Sequence, residues 1–297
     1  VSCAARSAGK SFLVLFFKKE HSFFCFPVMS ATVDIATESE APPRDWHKRW
    51  ARRFVGTISI VTGLLIWEAI SRLIIANSLF LAAPSQVAGA IIELARSGEL
   101  EHHMTVSGIE FIVGYVIACL LGIFLGFAMA SSEIRKEALQ PWVSGLYATP
   151  TIALAPLFIL WTGIGLWSKV LVVVSLVLFP VAINTEAGLR TTSERLVEML
   201  RSFGASQRQI FLKVSLPSAV PFILAGLKLG IGRGLIGVVV GELFGSRAGL
   251  GQLITQSAEA FNMPALFAGV IVLAVAGIVM TSGFSWVERH LVPWTRD

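Results

Sequence analysis

Six stretches of the chain are apolar for long enough to cross a hydrocarbon core, which takes about 20 helical residues each. They lie near 54–76, 106–130, 146–164, 168–185, 219–243 and 264–286. Pro150 and Pro156 interrupt the third, and Pro180 sits in the fourth. Prolines are tolerated in spans because neighbouring helices and hydroxyls satisfy the backbone groups they free. A very short turn around Gly163 and Gly165 joins the third span to the fourth. The pattern predicts an all-α, polytopic membrane protein with six transmembrane helices.

Between the fourth and fifth spans the pattern changes. Glu198 to Pro217 is the longest well-charged, amphipathic segment of the chain. A short helix over 205–214 would place Ile210, Phe211 and Val214 on one side, leaving Gln207, Arg208 and Lys213 polar. Gly204 before it and Pro217 after it are ordinary stop and start signals. Pro84 to Ser97 also has helical spacing and is expected to lie across the surface between the first two spans. His102 and His103 follow in the same connection. Adjacent residues do not share a helix face, so a solvated loop is expected there rather than a metal pair.

Of 297 residues, 55% are hydrophobic and 14% charged, with a mean hydropathy of +0.73. Soluble domains carry about 25% charged residues, so the composition is that of a membrane protein. The net charge of +5 does not point to nucleic acid, because the basic residues lie mostly in loops beside spans. Cys3, Cys25 and Cys119 have neither metal nor disulfide spacing.

The loop charges orient the spans. Arg44, Lys48, Arg49, Arg52 and Arg53 precede the first, and Arg135 and Lys136 follow the second. Arg190, Arg195, Arg201, Arg208 and Lys213 follow the fourth, whereas the alternate connections hold only Arg96, Lys169 and Arg247. Positive charge gathers on the cytoplasmic side, which places both termini and the 186–217 loop there.

Residues 1–45 read as a disordered tail, and 46–297 as the membrane domain. Residues 4–11 approach a phosphate-binding loop, but Ala4 takes its first glycine position and no strand precedes it. Phe12–Phe17 is shorter than the roughly 7–15 residues of a signal-peptide core. The chain opens on Val1 and its first methionine is Met29, so 1–28 is expected to be a mis-called start. Trp46, Lys48, Arg49, Trp50, Arg52 and Arg53 form a basic, aromatic approach of the kind that anchors at headgroups.

The spacing within Glu198–Pro217 resembles the permease subunits of ABC importers. Their cytoplasmic loop reads Glu-Ala-Ala, three residues, Gly, nine residues, Ile, one residue, Leu-Pro; Glu198, Gly204, Val214, Leu216 and Pro217 fall on it. Met199 and Leu200 replace the alanines, and Val214 stands for the isoleucine. Ala-Leu-Ala-Pro-Leu-Phe-Ile-Leu-Trp at 153–161 and Arg-Ser-Phe-Gly-Ala-Ser at 201–206 resemble the nitrate, sulfonate and taurine branch. The resemblance implies a type I importer fold in a bacterial inner membrane and a small anionic solute. It also implies a coupling helix docked on a separate cytoplasmic ATPase, with Glu198, Gly204, Ala205, Ser206, Gln207, Arg208, Leu216 and Pro217 at the junction. An external solute-binding protein and a second, identical permease subunit are the other implied partners. No cofactor, metal or catalytic group is expected in this chain. An interfacial helix lying on lipid is the competing reading of the same basic and apolar faces.

The fifth span carries Gly226, Gly230, Gly234, Gly237 and Gly241 on one narrow stripe, which suits close helix packing within the subunit or across a dimer. Gly122 and Gly126 read the same way. Lys228 and Arg233 lie in that span, where each costs about 2.5–3.5 kcal/mol at the bilayer centre. Lys228 points away from the stripe and is the candidate to line a translocation pathway, with snorkelling to headgroups as the alternative. Arg233, at the stripe's edge, is the second candidate, with pairing to a carbonyl or carboxylate as its alternative. Glu68 and Arg72 are four apart and are expected to pair. An ion-coupled secondary transporter or channel is the rival class, and it would show carboxylates at mid-membrane depth. Clustered His, Asp or Glu, which a membrane enzyme would need, are not evident along the chain.

Overall fold

The computed structural model describes the backbone of residues 46–75 and 79–292, with side chains from Phe54. The 1–45 tail, the near-phosphate loop, Met29 and the headgroup-anchoring side chains of 46–53 lie outside the described residues. Two units divide at Phe54, Val1–Phe54 and Val55–Asp297. The second carries the bundle.

Among the described residues every regular element is helical. In chain order these are α1 (Trp46–Ala69), α2 (Pro84–Arg96), α3 (Glu99–Ala130), α4 (Glu133–Ala148), α5 (Ala155–Thr162) and α6 (Leu166–Arg190). After them come α7 (Glu194–Ser202), α8 (Gln207–Ile210), α9 (Leu216–Leu243), α10 (Leu250–Glu259) and α11 (Met263–Leu291). Among the described residues five segments are long and apolar enough to cross a membrane. The expected third span makes a sixth only if α4 and the Thr151–Thr162 stretch are taken together, and these bend by 83° at Pro150. Pro150 has no N–H to continue the ladder, and Pro156 restarts it in the first turn of α5.

The centre of the bundle is α3, α6 and α9, and its register follows from side-chain size. An added Cβ at Gly114 would meet Val173, at Gly122 Val181, and at Gly126 Thr185, each within 3.0 Å. Each partner lies 59 positions further along the chain, the same separation as the Lys169–Glu110 ion pair. Residues 110, 114, 118, 122 and 126 of α3 thus run parallel to 169, 173, 177, 181 and 185 of α6, four-spaced ridge against four-spaced ridge. The α9 stripe covers the other flank of α6 in the opposite direction. Gly226 faces Asn184, Gly230 Val177, Gly237 Val173 and Gly241 Lys169. Of the two packing partners open to that stripe, the subunit's own helices take it. Phe111, Ala118, Val173, Val177, Val181, Ile231 and Val238 fill the centre.

Two expectations change. The helix expected to begin near residue 106 begins at Glu99, because Gly98 at φ 76° supplies the turn into it. His102 and His103 are therefore helical, and His103 is buried rather than in a solvated loop. The short helix over 205–214 is also not separate. Its turns run through a wide π-helical stretch, Phe211–Ser215, straight into α9, so Gln207–Leu243 forms one apolar helix of 37 residues. Pro217 lacks the N–H that an α-helical turn would direct to Lys213, and a widened turn relieves such a break.

Candidate functional site

Three groups of residues bear on function, and the first is the α7–α8 turn. Helix α7 ends in a Schellman arrangement: Gly204 N–H donates to the Arg201 carbonyl (2.9 Å) and Ala205 N–H to that of Leu200 (3.0 Å). Gly204 has φ 79°, where a Cβ is disfavoured, which accounts for a glycine at this position. Ser206 then caps α8 reciprocally with Gln209, its hydroxyl accepting from Gln209 N–H and its own N–H donating to Gln209 Oε1 at 2.8 Å. The reversal is held by backbone and cap bonds. Glu198 and Arg208 are exposed, and among the described residues neither forms an ion pair.

The apolar side expected on 205–214 is partly covered, with Phe211 still 38% exposed. Ile210 is buried, and Phe211 meets Phe127 of α3 edge-on at 5.9 Å between ring centres. Most of the apolar surface left uncovered is contributed by Leu196, Met199, Leu212 and Phe203, the last 81% exposed. Those four were missed in the sequence, where Phe203 reads as part of a motif rather than as a surface. Beside this turn, Arg190 of α6 pairs with Glu133 of α4 and with Glu186, each at 2.7 Å, and Lys136 pairs with Glu186 at 3.0 Å. These bridges tie the start of α4 to the end of α6.

The second group is the span cations. Lys228 Nζ lies 3.3 Å from a Glu288 carboxylate oxygen near the end of α11. Its charge is matched within the subunit. Arg233 Nη2 donates to the Tyr147 hydroxyl at 2.8 Å, and its guanidinium carbon lies 5.0 Å from the centre of that ring. The partner is an aromatic hydroxyl where a carbonyl or carboxylate was expected. Glu68 and Arg72 pair as expected at 2.5 Å, and both bond the Ser85 hydroxyl at the start of α2.

The third group escaped the sequence reading. At the end of the bundle opposite α7, a buried polar cluster joins α3, α6, α9 and α10. Glu242, fully buried, accepts from Ser107 Oγ and from Gly251 N–H, both at 2.5 Å. Leu250 N–H donates to Ser107 Oγ at 2.8 Å, and Gly249 N–H to His103 Nδ1 at 2.9 Å. The orphan N–H groups at the start of α10 are thus capped by side chains of α3 and α9. Lys169, counted above as a loop cation, is buried, donating to Glu110 Oε1 and Ser246 Oγ at 2.6 Å each. Carboxylates therefore do lie within the spans, Glu110 in α3 and Glu242 in α9. Every neighbour of Lys169 and Glu242 named here belongs to the bundle itself, which fits a structural tie. No group of three or more His, Cys, Asp or Glu able to hold a metal occurs among the described residues.

Residues 118–297 match the family model described as binding-protein-dependent transport system inner membrane component. The chain is 33% identical to the formylaminopyrimidine transport permease protein ThiX of Halalkalibacterium halodurans, over 84% of this chain and 99% of that one. It is 34% identical to a putative aliphatic sulfonates transport permease protein, SsuC of Bacillus subtilis, over 78% and 84% respectively. The taurine transport system permease protein TauC of Escherichia coli is 30% identical over 81% and 88%. In fold, the chain is similar to the inward-facing MetNI methionine ABC transporter, with a TM-score of 0.52 at 20% identity, covering 67% of this chain and 95% of that one.

Proposed function

Because the chain belongs to the family of binding-protein-dependent transport system inner membrane components, we propose that it meets its ATPase through the turn between α7 and α8. It is the permease subunit of an ABC importer, a transport component rather than an enzyme, and the family implies an ATPase and a solute-binding protein as partners. The observation that carries the docking proposal is Phe203, 81% exposed on a rigid reversal beside Met199 and Leu196. A bulky aromatic beside two apolar neighbours on a fixed turn is suited to fill a partner's pocket. Glu198, Gly204, Ala205, Ser206, Gln207 and Arg208 form the frame of that knob, and Leu216 and Pro217 join it to α9.

In this reading the α7–α8 turn and both termini face the cytoplasm, as the distribution of Arg and Lys favours. Two copies of the chain pair around the pathway. The solute is a small anion, a reading supported by the sulfonate and taurine names of two relatives, while ThiX and the riboflavin permease RibX of Chloroflexus aurantiacus bear other names. The two span cations then have unequal parts. Lys228 is matched by Glu288 and set toward headgroups, and Arg233 is left to face the pathway.

Co-purification tests docking. Phe203→Glu in the membrane-inserted permease should abolish capture of the cognate ATPase and ATP-dependent uptake while leaving thermal stability unchanged. Retained capture at normal strength would instead favour a helix resting on lipid.

A further inference from the structure

We propose that Arg233 and Tyr147 form a recognition station for an oxyanion, the sulfonate or carboxylate of a small organic solute, on the pathway-facing side of α9. The inference rests on the permease reading above and gives that pathway a specific ligand chemistry. Arg233 lies ten residues before Leu243, about 15 Å along the helix and thus well inside the span. It is exposed on the surface of the subunit, between Leu229 and Ile236, which are 58% and 52% exposed one turn to either side. A guanidinium at this depth is strongly disfavoured against lipid, and such residues face protein or water. Lys169 and Lys228, which also lie in spans, each have a carboxylate within the subunit. Among the described residues Arg233 has none, and it is bonded instead to the Tyr147 hydroxyl.

The geometry suits an anion that must arrive and leave. Tyr147 occupies one guanidinium nitrogen, Nη2, and its ring steadies the cation from the side. The second Nη2 hydrogen, together with the neighbouring Nε–H or Nη1–H on its edge, is left to donate a parallel pair of bonds to two oxygens of a carboxylate or sulfonate. The hydroxyl accepts from Arg233, and its own proton is left to point at the third oxygen of a sulfonate, or to share one of the two oxygens of a carboxylate. Tyr147 stands at the end of α4, immediately before the 83° bend at Pro150, so the bend sets its reach. A single cation without a fixed counter-ion attracts an anion, and water in the pathway moderates the attraction so that the site can empty.

The test uses thiol probes of opposite charge on the full transporter in membrane vesicles. In a Cys3→Ser, Cys25→Ser, Cys119→Ala background, single cysteines are placed by Leu229→Cys and Ile236→Cys. Val275→Cys, on an exposed apolar face of α11, is the lipid-side control. The probes are the sulfonate-bearing and the trimethylammonium-bearing ethyl methanethiosulfonates, with rates normalised to those on a free thiol. Both positions should react, the sulfonate about tenfold faster than the cation. Arg233→Gln should erase that preference, Arg233→Lys should restore most of it, and Tyr147→Phe should reduce it. No labelling at 229 and 236 would place this face against lipid or a partner helix and overturn the proposal. So would labelling without charge preference, or a preference that survives Arg233→Gln. Capture of the ATPase by the same preparations reports separately on the permease reading, because Arg233 is remote from the α7–α8 turn.

Discussion

The two ends of the bundle treat polar and apolar groups in opposite ways. Where α10 meets the tips of α3, α6 and α9, charges are buried: Glu242, Lys169, Glu110 and His103 are each at most 5% exposed. On the α7–α8 turn the charges of Glu198, Arg201 and Arg208 are exposed, and apolar side chains such as Phe203 and Met199 share that surface with them. The first end is closed by its own side chains, while the second presents a surface that a partner would cover. An ion pair removed from solvent is weak evidence for stability, yet losing one member is costly because the other remains buried and unpaired. The contrast therefore predicts that substitutions at the first end act on folding and those at the second on association.

The largest effect on stability is expected from Lys169→Met, which leaves Glu110 without its cation. About 3–5 kcal/mol should be lost, read as a lower midpoint of thermal unfolding in detergent. Pairing it with Glu110→Gln should recover most of that loss; a double variant as unstable as the single would show that Lys169 acts through packing. Next comes Gly126→Val, whose side chain would be forced into Thr185 and the Ala182 carbonyl, at about 1–3 kcal/mol by the same assay. Gly204→Ala, with nothing within 4 Å of its added methyl, should cost only the left-handed backbone penalty of about 1–2 kcal/mol. It should nonetheless weaken ATPase capture, because the reversal that presents Phe203 would be strained. The smallest stability change is expected for Met199→Ser, within about 0.5 kcal/mol. Its effect should appear in capture alone, and a clear drop in its unfolding midpoint would break the comparison between the ends.

The sequence made one end far more legible than the other. The α7 end is local: Glu198, Gly204, Leu216 and Pro217 lie within one segment, and the glycine requirement follows from a turn of a few residues. The opposite end is not. Glu110 and Glu242 each stand alone in an apolar run, with no opposite charge one turn away to reveal a pair. Their partners come from other helices, Lys169 at a separation of 59 residues and Ser107 at 135. Nothing local marks the burial of His103 either, since its bond to Gly249 spans 146 residues. The glycine stripe of α9 was readable because helical periodicity is local, but its choice of α6 over a second subunit needed the four-residue register between helices. Pro217 misled in the other direction. A proline after a polar segment marks a helix start, and the backbone here absorbed it by widening one turn.

The uninterrupted run from Gln207 to Leu243 has a mechanical consequence. At a rise of about 1.5 Å per residue, its 37 residues make a rod about 55 Å long. One end is the surface knob and the other is bolted by Glu242 into the cap of α10. A tilt of roughly 5° at the knob would swing the far tip by about 5 Å, the height of one helical turn. Arg233, some two-thirds of the way along, would travel a corresponding fraction of that arc. A displacement delivered at its solvent-facing corner would therefore reach deep into the spans, with the π turn beneath Pro217 and the Pro221 turn just beyond it as the points of give.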